Sequence, residues 1–323
     1  MPESRDELKD AVDDCLGFSS EGNEIFNHCP TRLHGPIGKW DVSRVTDMNK
    51  MFYDIDTFNH DLSRWDVSRV TDMRAMFAYA QSFNQDLSKW DVSRVSSMAT
   101  MFGHAILFNQ DLSKWDVSRV ADLGAMLAMF RYAKSFDQDL SKWDVSHATN
   151  MGAMFRYAKF LNQDLSKWDV SRVTSMAEMF RYAKSFNQGV SKWDVSRVTD
   201  MGEMFRYAKS FNQDLSKWNV SRVTSMVMMF DGAKSFNYDL SNWDVSRVTD
   251  MGSMFLFAES FNQDLSRWDV SRVADMEWMF ADAKSFRQTL RGAAWINSNA
   301  TKRQIFAGSP GSISDTVCGT WMF

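Results

Sequence analysis

Carboxylates and guanidiniums recur in this chain at fixed intervals, and groups of those types can hold cations, grip anions or move protons. One series runs Asp61, Asp86, Asp111, Asp139, Asp164, Asp214, Asp239 and Asp264, broken by Gly189. Like charges in a row need compensation. The sequence offers three sources: the neighbouring cations from Arg64 and Lys89 to Arg267, a bound Ca²⁺ with its need for several hard oxygens, or backbone N–H groups at a bend. A second series, from Asp41 to Asp269, is followed three residues later by Arg, from Arg44 to Arg272, with His147 as an exception. Two parallel rows of opposite sign read as a salt-bridge ladder, and a row of guanidiniums can also grip an anion.

The most suggestive side chains for binding are four copies of Arg-Tyr-Ala-Lys. They supply Arg131 and Tyr132, Arg156 and Tyr157, Arg181 and Tyr182, and Arg206 and Tyr207 as candidate partner-binding residues. Tyr and Arg are enriched in protein interfaces. Recent duplication of the most alike units would copy the motif equally well. No catalytic set emerges. His28, His34, His60, His104 and His147 share no spacing and have no nucleophile beside them, no Gly-rich phosphate loop is present, and the conspicuous carboxylates all belong to repeating series, whereas active sites are singular. Neither a cofactor nor a metal site is expected.

These residues are positioned by a repeat. Trp recurs at Trp40, Trp65, Trp90, Trp115, Trp143, Trp168, Trp193, Trp218, Trp243 and Trp268, at intervals of 25 residues except for one of 28. Ten copies at a short fixed period mean a solenoid, in which each unit packs mainly on its neighbours. In such a stack one sequence position becomes one column in space.

Within the unit that begins at Trp193, Met201, Met204, Phe205 and Ala208 fall at i, i+3, i+4 and i+7, the stripe of a short amphipathic helix. Thr199 stands as its N-cap and Asp200 favours its N-terminal dipole. Asn212 to Ser216 is short enough for one strand, with Leu215 inward. The expected coil is therefore one strand, one bend and one helix. The Asn series from Asn59 to Asn262, with Asp137 as an exception, reads as a ladder that satisfies the bend from coil to coil. Three extra residues between Ala121 and Phe136 lengthen the fourth helix by about one turn.

Residues 1–32 read as an N-terminal helical cap, on the stripe of Leu8, Val12 and Leu16. Residues 33–293 are the repeat solenoid. Residues 294–323 are a C-terminal cap with Trp295, Ile305, Phe306 and Trp321 as its apolar contacts, since Ala293 stands where a Trp is due. Cys15 and Cys29 lie close enough in the N-terminal cap to form a disulfide, or both remain thiols; Cys318 is the third cysteine.

The pattern W-D-V-S-x-V-T-x-M-x-x-M-F followed by F-N-Q-D-L-S, which runs from about Leu33 to Leu290, resembles the BspA-like leucine-rich-repeat family. It is closest to the branch of that repeat found in mycoplasma surface lipoproteins. The resemblance implies an α/β fold, a right-handed leucine-rich-repeat-like solenoid of about ten coils. It also implies adhesion or partner binding at a cell surface, and no catalysis.

The formal net charge of −4 gives no bulk attraction to nucleic acid. The N-terminal MPESRDELKDAV has no apolar signal core and no apolar run suggests a membrane span. The residues alone lead one to expect a soluble intracellular chain, the resemblance a surface or secreted one. The function expected is a non-enzymatic scaffold for protein or glycan partners, the alternative a structural coat that packs against copies of itself.

Overall fold

The computed structural model describes residues 2–17, 35–120 and 128–316. The chain begins with helix α1 (Arg5–Leu16). Ser4 caps it by accepting from the Glu7 N–H, and Gly17 ends it in the left-handed conformation that glycine enters without steric cost (φ 77°). Leu8, Val12 and Leu16 are buried, as the spacing predicts, with Cys15 buried beside them, and Arg5 donates to the Asn49 carbonyl of the first coil. The helix thus covers the apolar end of the stack. Cys15 is disulfide-bonded; its expected partner Cys29 lies outside the described residues.

The repeats differ from expectation in their local structure. Among the described residues no coil contains an α-helix, and the segment expected to be helical is a run of turns. In the unit from Trp193, the N–H groups of Met201, Glu203, Phe205 and Tyr207 donate to Ser225, Val227, Met229 and Asp231 of the next coil. The alternate groups, Met204, Arg206 and Ala208, donate to carbonyls three residues back in their own coil. Glu203 and Tyr207 have positive φ, 57° and 54°. A left-handed residue at every fourth position breaks the i→i−4 bonding of an α-helix and turns every second N–H outward along the stack. A non-glycine residue in this region costs about 1–2 kcal/mol. In this unit the strain is offset by a backbone hydrogen bond to the next coil at both such residues, Glu203 N–H to Val227 and Tyr207 N–H to Asp231.

The expected strand at Asn212–Ser216 is likewise not a strand. Parallel pairing occurs instead at the position assigned to the helix start: Asn150, Ser175, Asp200, Ser225, Asp250, Asp275 and Thr301 form successive one-residue bridges. Thr199 does not cap a helix. Its N–H and hydroxyl both donate to the Thr174 carbonyl, at 2.9 and 3.2 Å.

The core is a set of straight columns. Every repeat Trp is buried, and from Trp65 onward its indole N–H donates to a carbonyl of the preceding coil, as Trp193 does to Leu165 at 3.0 Å, while Trp40 donates to Gly35. Phe155, Phe180, Phe205 and Phe230 stack with centroids 5.7–5.8 Å apart. Each asparagine of the bend column accepts from the next coil. Asn187 takes the Asn212 N–H and the Gln213 side-chain amide, both at 2.9 Å, and Asp137 does the same for Asn162 and Gln163.

Residues 121–127 of the fourth unit, where the lengthened helix was expected to start, lie outside the described residues. The stack regains register immediately after them, because Phe102 donates to Met129 and Trp143 to Leu112.

At the C-terminus the columns run on. Helix α2 (Ala293–Ile296) carries Trp295, whose indole donates to Leu265 in the manner of its predecessors. Trp295 therefore takes the place of the missing Trp at 293. Phe306 continues the Phe column, 5.5 Å from Phe280. Strand β1 (Thr289–Leu290) pairs in parallel with β2 (Ser312–Ile313). No helix is long and apolar enough to cross a membrane among the described residues.

Candidate functional site

The second left-handed position of each coil forms a column of its own: Tyr79, His104, Tyr132, Tyr157, Tyr182, Tyr207, Gly232 and Phe257 all have φ between 54° and 66°. The inter-coil ladder fixes these backbones, and the side chains follow. From Tyr79 to Tyr207 the rings stack face to face, with centroids 4.1–4.7 Å apart and planes within 21° of parallel. The four predicted tyrosines are thus brought together, half-buried, on one edge of the stack. Tyr53 meets the start of the column edge-on, 5.6 Å from Tyr79.

Sequence reasoning missed Tyr79 and His104 as members of the stack. Their spacing to Tyr132, 25 and then 28 residues, is the repeat interval itself and carried the signal. Burial, then Arg131, Lys134 and Arg156, push the His104 imidazolium pKa down, so a neutral ring stacks between the two tyrosines.

The ring column ends where Gly232 takes the aromatic position. Gly232 has φ +66°, and a side chain there would collide with the Tyr207 ring, whose nearest atom lies 2.8 Å from where a Cβ would stand. Phe257 resumes the column one coil later and is exposed.

The arginines of the last three motifs have a different fate, while Arg131 lies against its tyrosine outside that network. Arg156 pairs with Glu178 at 2.6 Å, Glu178 with Arg181 at 2.8 Å, Arg181 with Glu203 at 2.7 Å, Glu203 with Arg206 at 2.7 Å, and Arg206 with Asp231 at 2.8 Å. The result is a zigzag chain of alternating charge that runs along four coils. The guanidiniums lie 5.4–5.7 Å from the centroids of the tyrosines that follow them, within cation–π range. Arg156, Arg181 and Arg206 therefore brace the rings from within. The chain ends at Asp231, whose side chain is 1% exposed; one oxygen accepts from Arg206 and the other is buried without a hydrogen-bond partner. Burial raises the Asp231 pKa to about 6, against the opposing pull of Arg206. Beside the rings, Lys134, Lys159 and Lys209 are exposed and Lys184 half-buried.

The other charged columns are satisfied locally. Asp61, Asp86, Asp111, Asp139, Asp164, Asp214 and Asp264 each accept from the N–H of the serine two residues on, at 2.8–2.9 Å. Of the three compensations open to this series, backbone N–H groups at the bend are the one the geometry shows. The serine hydroxyl and N–H hold the Asp164 carboxyl below the usual range, with Lys167 and Lys192 as lesser contributors. The Asp column after Trp does the same, as Asp194 does with Ser196 at 3.0 Å. The expected salt-bridge ladder to the arginines three residues on is not formed among the described residues. A carboxylate that already accepts from the adjacent turn stays folded back on its own coil, and Arg197, like its column neighbours, extends to solvent. No group of three or more His, Cys, Asp or Glu side chains that could hold a metal ion occurs among the described residues.

No curated protein matches the chain. One family description matches in three consecutive stretches, residues 21–128, 124–218 and 209–315, each of about four coils. These stretches together span most of the chain, which therefore belongs to the family described as Mycoplasma protein of unknown function, DUF285.

Proposed function

We propose that the chain is a non-enzymatic repeat scaffold that docks a protein partner on the edge of its stacked aromatic column. One observation carries this reading: six rings from Tyr79 to Tyr207 form an unbroken, half-buried pile at the surface. The core columns already hold the coils together, so stability does not require a second pile of rings at the surface. Rigid aromatic side chains supply contact area at low entropic cost, which is why interfaces favour them.

Between the protein and glycan readings, the arrangement of the rings favours a protein. Sugars pack on the open faces of aromatic rings, and here the faces within the pile are covered by neighbouring rings, with Gly232 against the outer face of Tyr207. What remains is a row of ring edges and phenol hydroxyls, about 5 Å apart, flanked by lysines. That surface suits a protein segment with acidic and hydrogen-bonding groups better than a sugar. Because Arg156, Arg181 and Arg206 are spent within the zigzag, binding falls to Arg131, Tyr132, Tyr157, Tyr182, Tyr207 and the lysine row. The finer assignment, a right-handed coil of the BspA-like surface branch that acts at a cell surface, rests on the repeat motif and forms part of this proposal.

The test is affinity capture on the immobilised chain and on its Tyr157→Ser/Tyr182→Ser double variant, with denaturant unfolding as the control on the fold. A partner that the double variant holds at least tenfold more weakly supports the reading. Equal capture by both moves the docking site elsewhere. Concentration-dependent assembly of the chain alone in sedimentation would favour the self-packing coat instead.

A further inference from the structure

We infer that the Arg column carries one oxyanion site, between Arg197 and Arg222, made by a single interruption in the neighbouring Asp column. The residue after Trp is Asp in every repeat from Asp41 to Asp269 except one, Asn219. A cleft of about 560 Å³ opens at that interruption, lined by Arg197, Arg222, Asn219 and the hydroxyl residues Thr174, Ser196 and Thr199, with Ser221 completing it. It includes no carboxylate and none of the residues of the aromatic column.

The chemistry follows from which groups are already spent. Thr199 donates its hydroxyl to the Thr174 carbonyl at 3.2 Å. Ser221 donates both its hydroxyl, at 2.7 Å, and its N–H, at 3.2 Å, to Asn219 Oδ1. With Oδ1 turned into that local bend, Nδ2 occupies the place where every other coil holds the second carboxylate oxygen. The substitution therefore removes a negative charge and puts a donor in its position. Neither guanidinium has a hydrogen-bond or ion-pair partner among the described residues, and both side chains are exposed. Successive coils hold the two guanidiniums about 5 Å apart at their bases. Two planar donor forks and an amide N–H2 that line one cleft free of carboxylates match a tetrahedral oxyanion, a phosphate or a sulfate. In the coils with Asp, the second oxygen would repel the same ligand.

The test follows the arginine side-chain N–H resonances of the intact protein by NMR during titration with inorganic phosphate, sulfate and O-phosphoserine. The inference expects saturable shifts confined to Arg197 and Arg222. Asn219→Asp restores the residue the other coils carry and so preserves the fold; it should weaken binding at least tenfold. Asp194→Asn copies the interruption into the preceding coil and should create a second site between Arg172 and Arg197. Tighter binding of O-phosphoserine than of inorganic phosphate assigns an esterified ligand, and the reverse order assigns the free ion. Shifts spread evenly over the Arg column, or binding that Asn219→Asp leaves unchanged, would mean an adventitious ion only and overturn the inference.

Discussion

Asp231 shows how one residue position can close a charged column. Arg156 starts the zigzag on Glu178, Arg181 and Arg206 each lie between two carboxylates, and the last guanidinium needs a partner where the motif stops. Asp231 supplies it from a buried position, and burial raises its pKa from 3.8 to about 6. A group whose folded pKa is raised binds its proton more tightly in the folded state. Its contribution is fully present below pH 4 and is lost as the pH rises through 6. Denaturant unfolding of the wild type and of Asp231→Asn should therefore show a stability difference that moves against the wild type between pH 4 and pH 6. A difference that moves in its favour over that window would mean that the ion pair with Arg206, not burial, sets the pKa. The outer carboxylates behave oppositely, because serine N–H and hydroxyl groups satisfy them in their ionised form. They need no cation, so excess EDTA should leave the melting temperature unchanged to within about a degree. A fall of several degrees would make the Asp61–Asp264 series metal ligands.

At the scale of the element, the core was legible and the backbone was not. The Trp, Met-Phe and Asn columns follow from spacing alone, because any coil that closes in 25 residues must bury the same recurring apolar groups. The helix was misread for a physical reason. Met201, Met204, Phe205 and Ala208 fit a 3.6-residue period, but they fit equally a four-residue turn with a left-handed residue at each repeat, and eight residues are too few to separate the two. Weak signals of the second lay at the left-handed column itself, where Asp54, His104, Gly232, Asp282 and Gly308 are residues that tolerate positive φ. The ion pairs were misassigned because an Asp three residues before an Arg reads as its partner, although the following serine N–H reaches that carboxylate first.

The turn ladder makes a prediction opposite in sign to the helix. Ala153 has φ 52°. Ala153→Gly in a helix interior would cost about 1 kcal/mol. At a left-handed position glycine relieves strain instead. Denaturant unfolding should show the variant unchanged or up to about 1 kcal/mol more stable, and a loss of 1 kcal/mol would restore the helix. Trp193→Ala tests the core column. The indole is 3% exposed and donates to the Leu165 carbonyl. Its removal leaves a cavity and an unpaired carbonyl, and should cost about 3–5 kcal/mol. A loss under about 1 kcal/mol would place the ring outside.

Across the whole molecule, columns hold the fold and departures from them carry individuality. Trp295 rescues a lost Trp two residues late, and the stack continues to Phe306. Gly232 ends the ring pile, and Asn219 opens the Arg column. The sequence showed these breaks as letters, but what each does depended on knowing which side chains share a column edge. All of that depends on straight columns, and straight columns depend on coils built as turn ladders rather than as strand and helix. Far-UV circular dichroism tests this most directly and needs no partner. Among the described residues helices α1 and α2 hold 12 and 4 residues, and no repeat coil adds one, so the account predicts a helix content far below one third. A content near one third, as ten helices of roughly ten residues would give, would contradict it.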